Sequence, residues 1–199
     1  PSIPLHLEIF NKLRFENIKY AHPSPLMKMD NGNKRKLSKR KDLEADANFF
    51  IKNGYPPTAI LEYFLNIMNS NFTDWRIQNP KLPFSEFNLK LEKFNRAGAL
   101  FDMVKLRDVC KEYISRLTAQ QVYDLVLDWS KENDKEIHSK LVNHKEYCIN
   151  IFNIEREGEK IRKDIEKWSD ISYQFEIFFD DMFVEVKKES IDLPKEIQK

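Results

Sequence analysis

Apolar residues recur at helical spacing through the second half of the chain, and this pattern constrains the fold more than any other feature. Thr118 followed by Gln121 three residues later matches a helix capping box. The next apolar side chains fall at positions i, i+3, i+4 and i+7, namely Val122, Leu125, Val126 and Trp129. Only four glycines occur in 199 residues, which argues against a β-rich chain with many tight turns. The sequence therefore predicts an all-α bundle after Asp102.

Further helices are predicted by the same spacing. In the second half these are a helix or helix pair carrying Ile137, Leu141, Cys148 and Phe152, a repeat of the spacing at Ile161, Ile165 and Trp168, and the longest apolar stripe, Ile171, Phe175, Phe178, Phe179, Met182, Phe183 and Val186. In the first half the predicted elements are a helix with Pro4 in its first turn, short strands at 19–22 and 26–29, a helix over 43–53, a helix opening at Pro56 or Pro57, a connection over 70–84, and a short amphipathic element over 85–95.

A strongly basic run occupies residues 34–41, where six of eight residues are Lys or Arg and Leu37-Ser38 is the only break. Upstream, residues 30–33 read Asp-Asn-Gly-Asn, a strong turn signal. Downstream, three acidic residues, Asp42, Glu44 and Asp46, precede Phe49-Phe50-Ile51. Acidic side chains suit the exposed N–H groups and the dipole of a helix N-terminus. We therefore expect a mobile cationic loop on an ordered connection that leads into a helix.

The chemistry of this run suits a phosphate group. Lysine ammonium groups are compact charges on flexible stems that match phosphate oxygens. A serine hydroxyl and loop N–H groups can add hydrogen bonds to the same anion. The residues alone also fit a solvated basic loop or a nuclear-localisation patch, so both interpretations stay open at this point.

Composition restricts the remaining possibilities. Lys and Arg total 33 against 32 Asp and Glu, a net charge of +1, so nucleic-acid binding must rest on local patches such as residues 34–41.

Cys110 and Cys148 lie far apart in the sequence. A disulfide between them is one alternative, but free thiols in a reducing compartment are favoured. His138 and His144 lack the cysteine pair of a zinc site. Without a signal peptide or an apolar run near 18 residues, we expect a cytoplasmic protein without a membrane partner.

The segment Lys36-Leu37-Ser38-Lys39-Arg40 resembles the second signature loop of class I aminoacyl-tRNA synthetases, in the form of bacterial glutamyl-tRNA synthetases. Other matching segments occur in order along the chain: Tyr20-Ala21-His22, Pro25-Leu26, Gly54-Tyr55-Pro56-Pro57, Ala59-Ile60-Leu61, Tyr63, Gly98-Ala99-Leu100-Phe101-Asp102 and Lys105-Leu106. The residues before the loop and Met68-Asn69-Ser70-Asn71-Phe72 after it are similar to clostridial members. Nearly the whole chain can thus be aligned with this family.

The resemblance implies a mainly α fold in three parts. Residues 1–70 would be the end of the catalytic fold, with short strands, the signature loop and a helical hairpin. Residues 71–101 would form a connector, and residues 102–199 a helical domain that contacts tRNA. The nucleotide-binding fold with a His-x-Gly-His motif would precede Pro1, so we expect this chain to be an enzyme fragment that is inactive alone.

The resemblance also implies function and site residues. The intact enzyme would activate glutamate with ATP and Mg²⁺ and transfer it to tRNA-Glu, and we expect it to be a monomer. Lys39 is the predicted catalytic residue, contacting the ATP phosphates and stabilising the leaving pyrophosphate. Lys36 and Ser38 would hold the loop closed over the nucleotide, and Arg40 is a weaker ATP-binding candidate. We predict no metal ligand in the chain.

Two alternatives remain at this stage. A stand-alone helical nucleic-acid-binding or scaffolding module could use residues 34–41 to touch backbone phosphates and would need no further domain. Within the family, glutaminyl-tRNA synthetase is the nearest rival, but its second half usually turns to β-barrels, whereas this chain is predicted to be helical after Asp102. The sequence does not distinguish an enzyme that charges only tRNA-Glu from one that also charges tRNA-Gln.

Overall fold

The computed structural model describes residues 2–16, 19–158 and 160–183. Its α-helices are α1 (Ile3–Lys12), α2 (Ala47–Lys52), α3 (Pro57–Met68), α4 (Phe72–Gln78), α5 (Met103–Ser115), α6 (Ala119–Asn133), α7 (Lys135–Asn143), α8 (Lys145–Asn153) and α9 (Ile171–Phe175). Its strands are β1 (Leu26–Asp30), β2 (Asn33–Lys36) and β3 (Ala99–Leu100). The mainly α fold predicted from the sequence is confirmed. The chain divides into two compact units, Pro1–Ala45 with Leu61–Met103 (unit 1) and Asp46–Ile60 with Val104–Lys199 (unit 2).

Unit 1 contains a small sheet with the strand order β2-β1-β3. β1 pairs antiparallel with β2, placing Met27 opposite Lys36, and parallel with β3. The hairpin turns at Asn31 (φ 48°) and Gly32 (φ 81°). Two successive positive φ angles characterise the tight turn whose twist matches that of paired strands, and Asn-Gly is its preferred sequence. The predicted turn at residues 30–33 is therefore confirmed. It forms there because Asn and Gly tolerate the positive φ angles that the hairpin requires.

Aromatic packing holds the rest of unit 1 together. Tyr63 is fully buried; its ring lies edge-on to Phe101 at 5.5 Å, and its hydroxyl accepts a 2.7 Å hydrogen bond from the backbone N–H of Asp102. Burial raises the pKa of Tyr63 to about 12, so the hydroxyl stays neutral. Phe72 on α4 packs edge-on against Phe87 at 5.1 Å. These contacts join α3 and α4 to the segment that follows them.

Unit 2 contains the predicted helical bundle. The capping box is present: Thr118 Oγ1 accepts from the Gln121 backbone N–H at 3.2 Å, and Gln121 Oε1 accepts from the Thr118 N–H at 2.9 Å. The segment predicted as a helix or a pair is a pair, α7 and α8, joined at His144. The buried core of this unit is formed by α6, α7, α8 and residues 165–175. Its members include Val122, Val126, Ile137, Leu141, Ile151, Phe152, Ile165, Trp168, Ile171 and Phe175.

Arg156 connects the ends of two helices in unit 2. Its Nη1 donates to the carbonyl oxygens of Ile114 (2.9 Å) and Leu117 (3.0 Å), and its Nε donates to that of Phe152 (2.6 Å). The last carbonyls of a helix have no intrahelical partner and need such donors. One guanidinium therefore satisfies carbonyls at the ends of α5 and α8.

Several predicted elements differ in the structure. The helix predicted over 43–53 is a 3-10 turn at Leu43–Ala45 followed by the short α-helix α2 at Ala47–Lys52. Residues 19–22 form no strand. The connection over 70–84 includes α4, whose Phe72 and Trp75 both pack on Phe87; the prolines at 80 and 83 lie beyond its end. The element over 85–95 is limited to single 3-10 turns at Phe84–Glu86 and Leu91–Lys93. Residues 161–167 are not helical. Ile165 and Trp168 are nevertheless buried in the bundle, so these two apolar residues indicated burial rather than a helix.

The last predicted apolar stripe is helical at Ile171–Phe175. Its members up to Phe183 lie in the described chain, whereas Val186 lies outside it.

Both cysteines are buried free thiols, as the sequence favoured, and burial raises the pKa of Cys110 to about 12. Among the described residues no helix is both long and apolar enough to cross a membrane.

Candidate phosphate-binding loop

The first part of the basic run is a β-strand, which corrects the expectation of a mobile loop. Residues 33–36 form β2 and pair with β1 along its length. Successive side chains in a strand point to opposite faces, so Lys34 and Lys36 share one face and Arg35 occupies the other. Lys34 and Lys36 are exposed, whereas Arg35 is partly buried. The side chain of Arg35 therefore lies on the opposite face of the hairpin from those of Lys34 and Lys36.

The second part of the run forms one closed turn over residues 38–42. The backbone N–H groups of Lys41 (3.1 Å) and Asp42 (2.9 Å) donate to the carbonyl of Ser38. The Arg40 N–H donates to Ser38 Oγ at 3.3 Å. In return, the Ser38 N–H donates to Asp42 Oδ2 at 2.8 Å. The N–H groups of Ser38, Arg40, Lys41 and Asp42 thus donate inside the turn, so in this conformation these four are not available to an anion.

Five charged residues of unit 1 surround the start and end of this turn, and we call them the Asp42 cluster: Lys28, Asp30, Arg35, Asp42 and Glu44. Arg35 donates to both oxygens of Asp42, from Nη1 to Oδ2 at 2.7 Å and from Nη2 to Oδ1 at 2.6 Å. Its Nε donates to Asp30 at 2.6 Å. Lys28 binds Glu44 at 2.7 Å and lies 3.5 Å from Asp42. The Asp42 side chain is only 2% exposed.

Electrostatics keep this cluster ionised. The hydrogen bonds from Arg35, and then that from the Ser38 N–H, hold the pKa of Asp42 well below its usual range. The hydrogen bonds to Asp42 and Asp30 raise the pKa of Arg35, and the hydrogen bond to Glu44 raises that of Lys28. A buried carboxylate is stable when donors occupy its oxygens, and this one receives them from a strand and a turn.

The residues predicted from the sequence lie together on this support. Lys36 ends β2, Ser38 is half-buried at the start of the turn, and Lys39 and Arg40 are exposed within it. Within the described chain, the carboxylates of the Asp42 cluster pair with Lys28 and Arg35, and no ion pair involves Lys36, Lys39 or Arg40. The turn therefore presents cations whose charge is not used by the fold, which is the arrangement a phosphate ligand requires.

Sequence reasoning missed Arg35 and Asp42 as structural residues. It counted Arg35 among the cations and assigned Asp42 to a helix N-terminus. Only Asp46 has that role, since its Oδ1 accepts from the Asn48 N–H at 3.0 Å at the start of α2. The available signal for Arg35 was strand alternation after the Asn-Gly turn, which places it on the face opposite Lys34 and Lys36.

The chain is similar to curated proteins over nearly its whole length. The chain is 44% identical over 194 residues to a glutamate–tRNA ligase of Clostridium beijerinckii, an alignment that covers 98% of this chain and 35% of that protein. It is 42% identical over 197 residues to one from Clostridium perfringens, covering 99% and 36%, and 40% identical over 210 residues to one from Sorangium cellulosum, covering 98% and 36%. The chain spans about a third of the length of these curated relatives.

The fold agrees with these relatives. A crystal structure of a glutamate tRNA ligase from Elizabethkingia meningosepticum in complex with its amino acid superposes with a TM-score of 0.58 at 20% identity, covering 90% of this chain and 36% of that one. No protein-family model matches the chain.

These relatives are aminoacyl-tRNA synthetases. Within that class, nearly the whole length of the chain is homologous to a segment of glutamate–tRNA ligases, including clostridial ones. The resemblance drawn from the residues around the signature loop is thereby confirmed.

Proposed function

We propose that the protein containing this chain activates glutamate with ATP and transfers the glutamyl group to tRNA-Glu. The observation that carries the proposal is the turn over residues 38–42. Its Lys39 and Arg40 have no ion-pair partner among the described residues, and the turn is fixed to β2 through Asp42. It falls in a chain homologous to part of glutamate–tRNA ligases over 98% of its length. A stand-alone scaffolding module has no comparable observation in its favour.

In the first step, the glutamate carboxylate attacks the α-phosphorus of ATP, and the bond from that phosphorus to the pyrophosphate oxygen breaks. Negative charge grows on the leaving pyrophosphate. Lys39 is the residue we assign to stabilise this charge, because it is exposed on the turn and has no acidic partner in the described chain. A preorganised cation acts most strongly on charge that develops in the transition state. A hydroxyl of the terminal ribose of tRNA then attacks the glutamyl carbonyl carbon, the bond from that carbon to the phosphate oxygen breaks, and AMP leaves.

The neighbouring residues have supporting roles in this proposal. Lys36 approaches the phosphates from the end of β2, and Arg40 adds a second cation on the turn. The Ser38 hydroxyl already accepts from the Arg40 N–H, and its own proton can be donated to a phosphate oxygen. Binding of ATP would draw these three side chains around the nucleotide, in keeping with the loop closure that many enzymes use.

Magnesium has no site of its own in the described chain. No group of three or more His, Cys, Asp or Glu side chains is placed there to hold a metal ion, and the carboxylates nearest the turn are bound to Lys28 and Arg35. In our proposal Mg²⁺ therefore arrives with the ATP phosphates, and no residue of this chain is assigned to it.

Unit 2 includes most of residues 102–199, the part that we propose contacts tRNA. Many of its basic side chains are neutralised locally, as in Lys111–Glu166 (2.8 Å), Arg162–Asp164 (2.6 Å) and Lys163–Glu112 (2.5 Å). We infer that this unit touches few tRNA phosphates. We also expect the enzyme to work as a monomer in the cytoplasm.

The test is glutamate-dependent exchange between pyrophosphate and ATP by the full-length protein, with tRNA-Glu present. We expect exchange with glutamate and none with aspartate as a control amino acid. Absence of exchange with glutamate under conditions where tRNA-Glu binds would contradict the proposed function.

A further inference from the structure

The Asp42 carboxylate is bonded to both elements that carry the proposed phosphate contacts. It holds β2 through the two-pronged hydrogen bond with Arg35, and it holds the first residue of the turn through the Ser38 N–H. Lys36 ends the first element, and Lys39 lies on the second. A single buried side chain therefore fixes the strand and the turn relative to each other within unit 1.

No other described side chain makes this link. Lys28 and Glu44 bind each other, and Asp30 binds Arg35 within the same hairpin. Among the described residues, the Ser38 hydroxyl accepts from the Arg40 N–H inside the turn and does not reach β2. Removing the Asp42 charge would leave Arg35 with Asp30 and the Lys36 carbonyl as its hydrogen-bond partners within the hairpin. It would also weaken the bond to the Ser38 N–H, because charged hydrogen bonds are about twice as strong as neutral ones.

We propose that Asp42 is a positioning residue that orders the loop carrying Lys36 and Lys39 before ATP binds. This inference rests on the proposed function for its catalytic consequence, but the ordering itself is a property of the fold. Asp42 touches no reacting atom in this proposal. It acts by fixing the backbone at Ser38 through a hydrogen bond. Because Lys39 is the next residue, the position of its backbone is restricted as well. A cation placed in advance loses less entropy in the transition state than one on a mobile loop.

The substitution that tests this is Asp42→Asn, which keeps the size of the side chain and removes its charge. The matched control is Asp46→Asn, because Asn caps a helix about as well as Asp does and the same charge is lost four residues away. Both variants are made in the full-length protein. Trypsin cleavage within residues 39–41 reports local opening of the turn, since cleavage of a folded protein follows the population of the open form.

For Asp42→Asn we expect cleavage at Lys39, Arg40 or Lys41 to become about fivefold faster or more, while cleavage in unit 2 keeps its wild-type rate. In the exchange assay, kcat should fall about tenfold with a smaller change in the KM for ATP, as expected for a contact made mainly in the transition state. Asp46→Asn should match the wild type in both assays. Equal loop cleavage and equal kcat in the two variants would overturn the proposal.

A second variant covers the case in which Asp42→Asn unfolds unit 1 as a whole. Arg35→Gln removes the bond between Asp42 and the strand but keeps the one to the Ser38 N–H, and it should produce the same selective cleavage and loss of kcat. A wild-type rate in both assays would again overturn the proposal. If the wild-type protein shows no exchange at all, the proposed function fails, and the cleavage assay still decides whether Asp42 orders the loop.

Discussion

Asp42 is an acidic residue at the end of the basic run, bonded to both Arg35 and the Ser38 N–H. Around it, Arg35 is used by the fold, whereas Lys36, Lys39 and Arg40 have no ion-pair partner in the described chain. The basic residues of the run thus divide between one that the fold uses in ion pairs and others that we propose bind phosphate. That division depends on the strand register, since Arg35 and Lys36 are neighbours in sequence but lie on opposite faces of β2.

The depressed pKa of Asp42 makes unit 1 sensitive to acid. A carboxyl whose pKa is lower in the folded state than its unfolded value of about 3.9 stabilises the fold above that pH, and the contribution is lost as pH falls through the folded pKa. The cations facing Asp42 are Arg35 and Lys28, which stay charged throughout this range. We therefore expect the Tm difference between wild type and Asp42→Asn to be largest near neutral pH and to shrink below about pH 4. A difference that stays constant down to about pH 2.5 would show that the charge of Asp42 contributes nothing.

At the scale of elements, the end of α2 is held by three donors from the bundle of unit 2. Trp129 Nε1 donates to the Ile51 carbonyl at 2.9 Å, Ser169 Oγ to that of Asn53 at 3.0 Å, and the Trp168 N–H to that of Gly54 at 2.8 Å. Carbonyls at a helix C-terminus lack partners within the helix. The short helix α2 is therefore stabilised mainly by contacts with residues more than 70 positions away.

Gly54 is the position where this arrangement is most sensitive. Its φ is +83°, and a Cβ there would lie 2.8 Å from the Ser169 nitrogen and 2.9 Å from the Trp168 nitrogen. Gly32 has nearly the same φ, +81°, with nothing within 4 Å, so it is a matched control. We expect Gly32→Ala to cost about 1–2 kcal/mol from backbone strain alone, and Gly54→Ala to cost clearly more because backbone atoms must also move.

Urea unfolding can separate these two costs, with Trp129 and Trp168 fluorescence reporting on unit 2 and Trp75 reporting on unit 1. Equal losses of unfolding free energy in the two variants would contradict the close approach at Gly54.

Local patterns predicted some of these elements and missed others for physical reasons. The capping box at Thr118 and the Asn-Gly turn were predictable because each depends on residues within four positions of one another. The bond between Arg35 and Asp42 was not, since it depends on how the hairpin and the turn fold back together. Helix α4 was missed because the prolines at 80 and 83 suggested a connection. The helix predicted at residues 161–168 rested on the spacing of Ile161, Ile165 and Trp168, but of these three only Ile165 and Trp168 are buried, and Ile161 is exposed.

At the scale of the whole molecule, the chain aligns with about a third of the length of its glutamate–tRNA ligase relatives. Unit 1 contains the proposed phosphate-binding loop, and unit 2 contains most of the helices proposed to meet tRNA. The predicted boundaries at residues 70 and 101 remain predictions about domains of the intact enzyme. The net charge of +1 gives the chain no general attraction to nucleic acid.

For the isolated chain we expect tRNA binding that is weak, falls with salt and discriminates little between tRNA-Glu and other tRNAs. Phosphate contacts provide salt-dependent affinity, and base contacts provide discrimination. A titration at 50 and 200 mM salt with both kinds of tRNA measures this. Tight, salt-insensitive binding of tRNA-Glu alone would place the identity-reading contacts within this chain and would contradict our division of roles.

The central claim is that Lys39 stabilises the pyrophosphate that leaves ATP, and the most direct measurement is glutamate-dependent pyrophosphate exchange by the full-length Lys39→Ala variant. Loss of one such transition-state contact costs on the order of 3 kcal/mol, or about a hundredfold in rate, while tRNA affinity should stay nearly unchanged. Lys34→Ala is the control, because it removes an equally exposed lysine of the same basic run, outside the signature loop. We predict about a hundredfold slower exchange for Lys39→Ala and near wild-type exchange for Lys34→Ala. Exchange by Lys39→Ala within about twofold of wild type would contradict the role assigned to this loop.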